Sequence, residues 1–148
     1  IATTPVSAGT FVYDQTPRFS ITNPDDFEEN VDKGSSIYKA TGNSASFTIS
    51  ISKLKKGAKL ENAADYYAES LKKVAKPGTK VTIAYTKKKQ LKDKTPVMEF
   101  EIRWESQSGT PIVTQAIMVF RSKKMINMAF HNWRRPIGPY LLYTLTFK

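Results

Sequence analysis

Between Ser46 and Ser52 the chain alternates without a break. Phe47, Ile49 and Ile51 fall on one side, and Ser46, Thr48, Ser50 and Ser52 fall on the other. A helix would scatter these residues around its axis. A strand sorts them, because successive side chains point to opposite faces. The segment therefore reads as a half-buried antiparallel strand with one apolar face and one hydroxyl-lined face. An apolar sheet face has to be covered by another layer, so this stretch calls for a sheet with packing elements around it.

The rest of the chain supplies both. Short strands are expected at Thr10–Tyr13, Arg18–Thr22 and Ser36–Ala40, with a hairpin turn at Thr41-Gly42-Asn43-Ser44. Residues 61–76 carry Ala63, Ala64, Tyr67, Leu71 and Val74 at three- and four-residue spacing, which predicts one long amphipathic helix. Asn62 with Asp65 resembles a capping pair, Glu69 and Lys73 are placed for an i,i+4 ion pair, and Pro77-Gly78 stops the helix. Four strands follow: Lys80–Tyr85, a run through Met98, Phe100, Ile102 and Trp104, the more apolar and hence central Ile112–Phe120, and Met125–His131. The tail Tyr140–Phe147 reads as a terminal helix on the sheet, weakened by Thr144 and Thr146. Residues 1–9 read as a flexible lead to a single domain over residues 10–148. The fold class is α+β: an antiparallel sheet of about six or more strands flanked by helices.

Charge is unevenly spread. Residues 1–52 carry a net charge of −3, residues 53–94 carry +9, and residues 95–148 carry +4. Lys53, Lys55, Lys56 and Lys59 precede the helix as a basic loop; Lys87, Lys88, Lys89, Lys92 and Lys94 are expected between strands; Arg134 and Arg135 follow Trp133. Such a field concentrates anionic partners and speeds encounter. An acidic protein or an anionic membrane surface suits it. Nucleic acid is disfavoured: arginine, the planar base reader, is scarce, and the aromatics fall in core-facing phase. No apolar run reaches the roughly 18 residues that a spanning helix needs. The start at Ile1 is compatible with a removed export signal.

The order of elements resembles the PsbP-like family. Phe19-Ser20-Ile21-Thr22-Asn23-Pro24 is similar to its opening phenylalanine-x-isoleucine-x-x-proline strand, with Phe27 standing where a tryptophan is usual. Ala64-Asp65-Tyr66-Tyr67-Ala68 sits in the expected helix. Thr95-Pro96-Val97-Met98-Glu99-Phe100 resembles a glycine-x-proline strand entry in which Lys94 takes the glycine's place. Thr146-Phe147-Lys148 resembles the family's closing segment. The resemblance spans residues 10–148. It implies an α/β/α sandwich and a non-enzymatic, monomeric accessory protein outside the cytoplasm, such as a subunit or assembly factor of a membrane complex. It implies no cofactor. The family's metal-associated histidines have no counterpart beyond His131.

Reactive residues are few. The chain has no cysteine and a single histidine, which leaves no thiolate chemistry and no histidine-based zinc set. His131 lies opposite in phase to Phe130 on a strand and reads as a sheet-surface histidine, with no Gly-x-Ser-x-Gly elbow to make it a base. Asp25, Asp26, Glu28, Glu29 and Asp32 lack the order of a calcium loop and read as a solvated patch. Glu99, Glu101 and Glu105, with Arg103 as a cross-strand partner, read as a charged outer face rather than as a glycosidase pair, which needs two carboxylates across a cleft. Two alternatives stand beside the accessory protein: a polyanion- or nucleic-acid-binding domain, and an enzyme of another kind.

Overall fold

The computed structural model describes residues 10–22, 27–30, 32, 36–42, 45–131 and 142–148. The flexible lead expected over residues 1–9 lies outside them, as do Asp25, Asp26, Arg134 and Arg135. The described residues form ten strands and one α-helix: β1 (Thr10–Tyr13), β2 (Phe19–Thr22), β3 (Glu28–Glu29), β4 (Tyr38–Gly42), β5 (Ala45–Lys53), α1 (Ala63–Lys72), β6 (Thr82–Gln90), β7 (Pro96–Glu105), β8 (Pro111–Arg121), β9 (Lys124–His131) and β10 (Thr146–Phe147). A 3-10 turn at Leu60–Asn62 leads into α1.

Seven strands form one antiparallel sheet in the order β3-β4-β5-β9-β8-β7-β6. The alternating strand β5 sits inside it, with Phe47 opposite Phe130 and Ile49 opposite Met128 on β9. The Phe47 and Phe130 rings stack at 4.7 Å between centroids, a cross-strand pair that pins the register. Strand β8 is central, as its two-sided apolar pattern predicts.

Each face of the sheet carries its own core. On one face Met98, Phe100, Ile102, Ala116 and Met118 pack under Ala63, Ala64, Ala68 and Leu71 of α1. On the other, Phe47, Ile49, Val97, Ile117, Val119 and Phe130 pack under Phe19, Ile21, Leu142 and Leu145. This second cover includes a small sheet of order β1-β2-β10. Among the described residues the sandwich is thus helix, seven-stranded sheet and three-stranded sheet. Phe27 is buried with its ring edge-on to Phe130, the role a larger aromatic could fill.

Several local expectations are corrected. The helix ends at Lys72, short of residue 76, because Ala75 leaves the helix to bridge Ser106, and Val74 is 51% exposed. Asn62 holds the N-cap position without a side-chain hydrogen bond. Glu69 pairs with Lys72 at 2.8 Å, one residue nearer than Lys73. Strand β6 runs on to Gln90, so Lys87, Lys88 and Lys89 lie within a strand and not between strands. They occupy the sheet's edge, where charged side chains discourage pairing with other chains. The tail is no helix at its end: Thr146 and Phe147 pair with Ser20 and Phe19, as suits a β-branched residue beside an aromatic. No helix among the described residues is long and apolar enough to cross a membrane.

Candidate partner-binding end

Turns of an antiparallel meander alternate between the two ends of the sheet. The β6–β7 turn (91–95) and the β8–β9 turn (122–123) therefore share an end, and Arg121 joins them directly. Its guanidinium donates to Thr95 Oγ1 at 3.1 Å and lies 3.7 Å from Asp93. The same end receives β5, because Lys53 is opposite Lys124 and the Leu54 amide donates to the Lys123 carbonyl at 2.9 Å. The loop after β5 thus brings Lys55, Lys56 and Lys59 to where Lys92, Lys94, Lys123 and Lys124 already sit. Two lysine-rich segments separated by a helix and a strand in sequence become one basic end.

The expected lysines are not equivalent there. Lys88 lies 3.8 Å from Glu61 and Lys89 lies 3.4 Å from Glu99, so both are matched within the chain. The Lys87 ammonium sits 5.2 Å from the centre of the Tyr85 ring. Lys53, Lys55, Lys56, Lys59, Lys92 and Lys94 are exposed and pair with no described carboxylate. Asp93, the acid in this turn, is held below the usual carboxylate range by hydrogen bonds from Thr95, then by Arg121. It stays charged but is engaged by its own turn. The sequence reading missed Arg121, Lys123 and Lys124. The tetrapeptide Arg121–Lys124 reads as a turn, and counting meander turns would have placed it beside residues 91–95.

The backbone at this end is unusual. Lys94, Ser122 and Lys123 have φ of 70°, 54° and 61°, in the left-handed region that side chains beyond glycine and asparagine seldom occupy. Lys94 is the residue that replaces a glycine in the family-like strand entry, and its φ explains why a glycine suits that position. Two of the three are lysines, which the turns hold out from the end of the sheet.

The residues weighed for catalysis are engaged otherwise. His131 is half-buried on the α1 side of the sheet, sheltered more than a sheet-surface histidine would be. Trp104 Nε1 donates to Thr114 Oγ1 at 2.9 Å, and that oxygen lies 2.9 Å from His131 Nδ1. Thr114 Oγ1 accepts from the indole and still has a proton and a second lone pair to offer Nδ1, so it can hold either tautomer of the neutral ring. Nε2 on the other side of the ring lies 3.1 Å from Thr48 Oγ1. Burial, helped by the charge of Lys39, pushes the His131 pKa down to about 4. A triad histidine has a carboxylate on one nitrogen and a nucleophile on the other; this ring has a threonine on each.

Glu99 is not on a charged outer face: it is 5% exposed. It accepts from Tyr143 Oη at 2.8 Å and Tyr85 Oη at 2.9 Å. Burial acts to raise its pKa, but these two hydroxyls and Lys89 outweigh it and hold the carboxyl below its usual value. Burial and the same carboxylate push both tyrosines up. Arg103 pairs with Glu101 on its own strand at 3.1 Å, in place of the cross-strand partner expected. Glu28, Glu29 and Asp32 form no metal-binding group, and none exists among the described residues.

No family model matches the chain, and no curated protein matches it. Solved structures do. A solution structure of cyanobacterial PsbP (CyanoP) from Synechocystis superposes with a TM-score of 0.71 at 8% identity, covering 95% of this chain and 94% of that one. A crystal structure from Bacteroides thetaiotaomicron superposes with a TM-score of 0.55 at 14% identity, covering 95% of this chain and 48% of that one. The chain has the PsbP-like fold.

Proposed function

We propose that this chain is a non-enzymatic accessory protein that works outside the cytoplasm and seats its basic end on an acidic protein partner, as a subunit or assembly factor of a membrane complex. The observation that carries the reading is the convergence of Lys53, Lys55, Lys56, Lys92, Lys94, Lys123 and Lys124 on one end of the sheet. A lysine surface that served only solubility has no need to be gathered. Folding brings these charges together against their mutual repulsion, and a cationic end of this kind steers and registers a negatively charged partner. The PsbP-like fold supports the accessory role and the extracytoplasmic setting. The engaged state of His131 and Glu99 supports a role without chemistry.

The test is crosslinking and affinity capture from the source organism with wild type and a Lys55→Glu/Lys92→Glu/Lys123→Glu variant. A specific acidic protein should be recovered by wild type and lost by the variant, and its binding should weaken as salt rises. An unchanged set of captured proteins, or retention of the pure protein on DNA or heparin with a steep salt slope and no protein partner, would overturn the reading.

A further inference from the structure

The hydroxyl-lined face of β5 has no part in the basic end. It opens instead into a cleft of about 770 Å³ on the α1 side of the sheet. Ser46, Thr48, Ser50 and Ser52 line one wall. Tyr66, Tyr67 and Ser70 of α1 line the facing wall, and Asn127, His131 and Trp104 belong to the floor. A smaller recess of about 460 Å³ shares Lys39, Ser46, Ile112 and His131 and carries the space on to Thr41 and Gly42. Small-molecule sites occupy about 300–1,000 Å³ and combine aromatic surface with a few placed polar groups.

The chemistry of the lining selects among ligands. Its charged side chains are Asp32 and Lys39, one of each sign. The histidine is neutral at physiological pH, and its ring is fixed by Thr48 and Thr114. An anion finds no guanidinium here. Asn127 lines the cleft beside the hydroxyl row, and an amide suits a hydroxyl-bearing ligand better than an apolar one. Serine and threonine hydroxyls both donate and accept, which matches ligand hydroxyls one for one. Their spacing along β5, two residues per step, spreads the row over roughly 20 Å. Tyrosine and tryptophan rings supply flat surface for the C–H faces of sugar rings.

We infer that this cleft is a binding site for a neutral oligosaccharide, read by the hydroxyl row of β5 and by Asn127. The ligand lies along β5, passes the Asn127 side chain and rests against the aromatic side chains. Binding is separate from the basic end and does not depend on the accessory role.

The experiment is a titration of the isotope-labelled protein with maltotriose, cellotriose and chitotriose at millimolar concentration, followed by amide chemical shifts. At least one should move the amides of residues 46–52 and 127 together. Ser50→Leu, which fills the cleft, should weaken that binding about tenfold or more, the scale on which a site built for hydroxyls rejects a mismatch. Asn127→Leu should weaken it similarly while the melting temperature stays level or rises, a combination that a purely structural asparagine would not give. Lys92→Glu/Lys123→Glu should leave it intact. No shift with any of the three, shifts only at the basic end, or full binding by a folded Asn127→Leu protein would overturn the inference.

Discussion

Thr114 Oγ1 lies 2.9 Å from His131 Nδ1 and receives the Trp104 indole proton from its other side. With Thr48 Oγ1 3.1 Å from Nε2, these contacts hold the ring between two hydroxyls and link side chains of β7, β8, β9 and β5. Burial of the ring, helped by the charge of Lys39, disfavours the imidazolium.

A pH dependence follows. The His131 pKa is about 4 in the fold, against 6.5 ordinarily. The fold favours the neutral ring, so this stabilisation is complete above about pH 6.5 and is lost as pH falls toward 4, by about 3 kcal/mol in all. His131→Gln removes the titration. Urea unfolding of both proteins from neutral to acid pH should show the variant gaining on wild type by that amount across the window. A constant difference would contradict the linkage.

The Glu99 cluster should behave in the opposite way to ordinary surface charge. Glu99→Gln leaves two tyrosine hydroxyls and Lys89 without their shared anion and should cost about 2 kcal/mol. Its stabilisation is present above the ordinary carboxylate value of 4.5 and fades only as pH drops through the depressed folded value. Tyr143→Phe should cost about 1 kcal/mol, and a double-mutant cycle with Glu99→Gln should show coupling by denaturant unfolding.

Backbone strain at the basic end is removable. Lys94→Gly and Lys123→Gly place glycine at φ of 70° and 61° and should each stabilise the protein by about 0.5–1 kcal/mol in thermal melts. The same changes delete one charge each from the candidate partner surface, so stability should rise while partner binding weakens.

Charge reversal among the exposed lysines should separate binding from folding. Lys55→Glu and Lys92→Glu touch no described ion pair and should alter stability by no more than about 0.5 kcal/mol. Association with the acidic partner should slow markedly, and the effect should shrink as salt rises, read as on-rates by surface plasmon resonance.

Much of this protein is written locally. The period of Phe47, Ile49 and Ile51 makes β5, the spacing of Ala64, Ala68 and Leu71 makes α1, and the two-sided apolar run after Pro111 makes a central strand. Periodicity is a property of neighbours in sequence, so these elements are legible without the fold. The lysine segments and the shortage of reactive residues are legible for the same reason. Tertiary structure alone decided which turns share an end, since the pairing of Lys53 with Lys124 joins residues far apart in sequence. It also buried Glu99, because Tyr143 returns from the far end of the chain to cover a strand face that alternation alone marks as polar. The hydroxyl row of β5 shows the division best: the sequence determined that the row exists, and only the packing of α1 left it facing a cleft instead of open solvent.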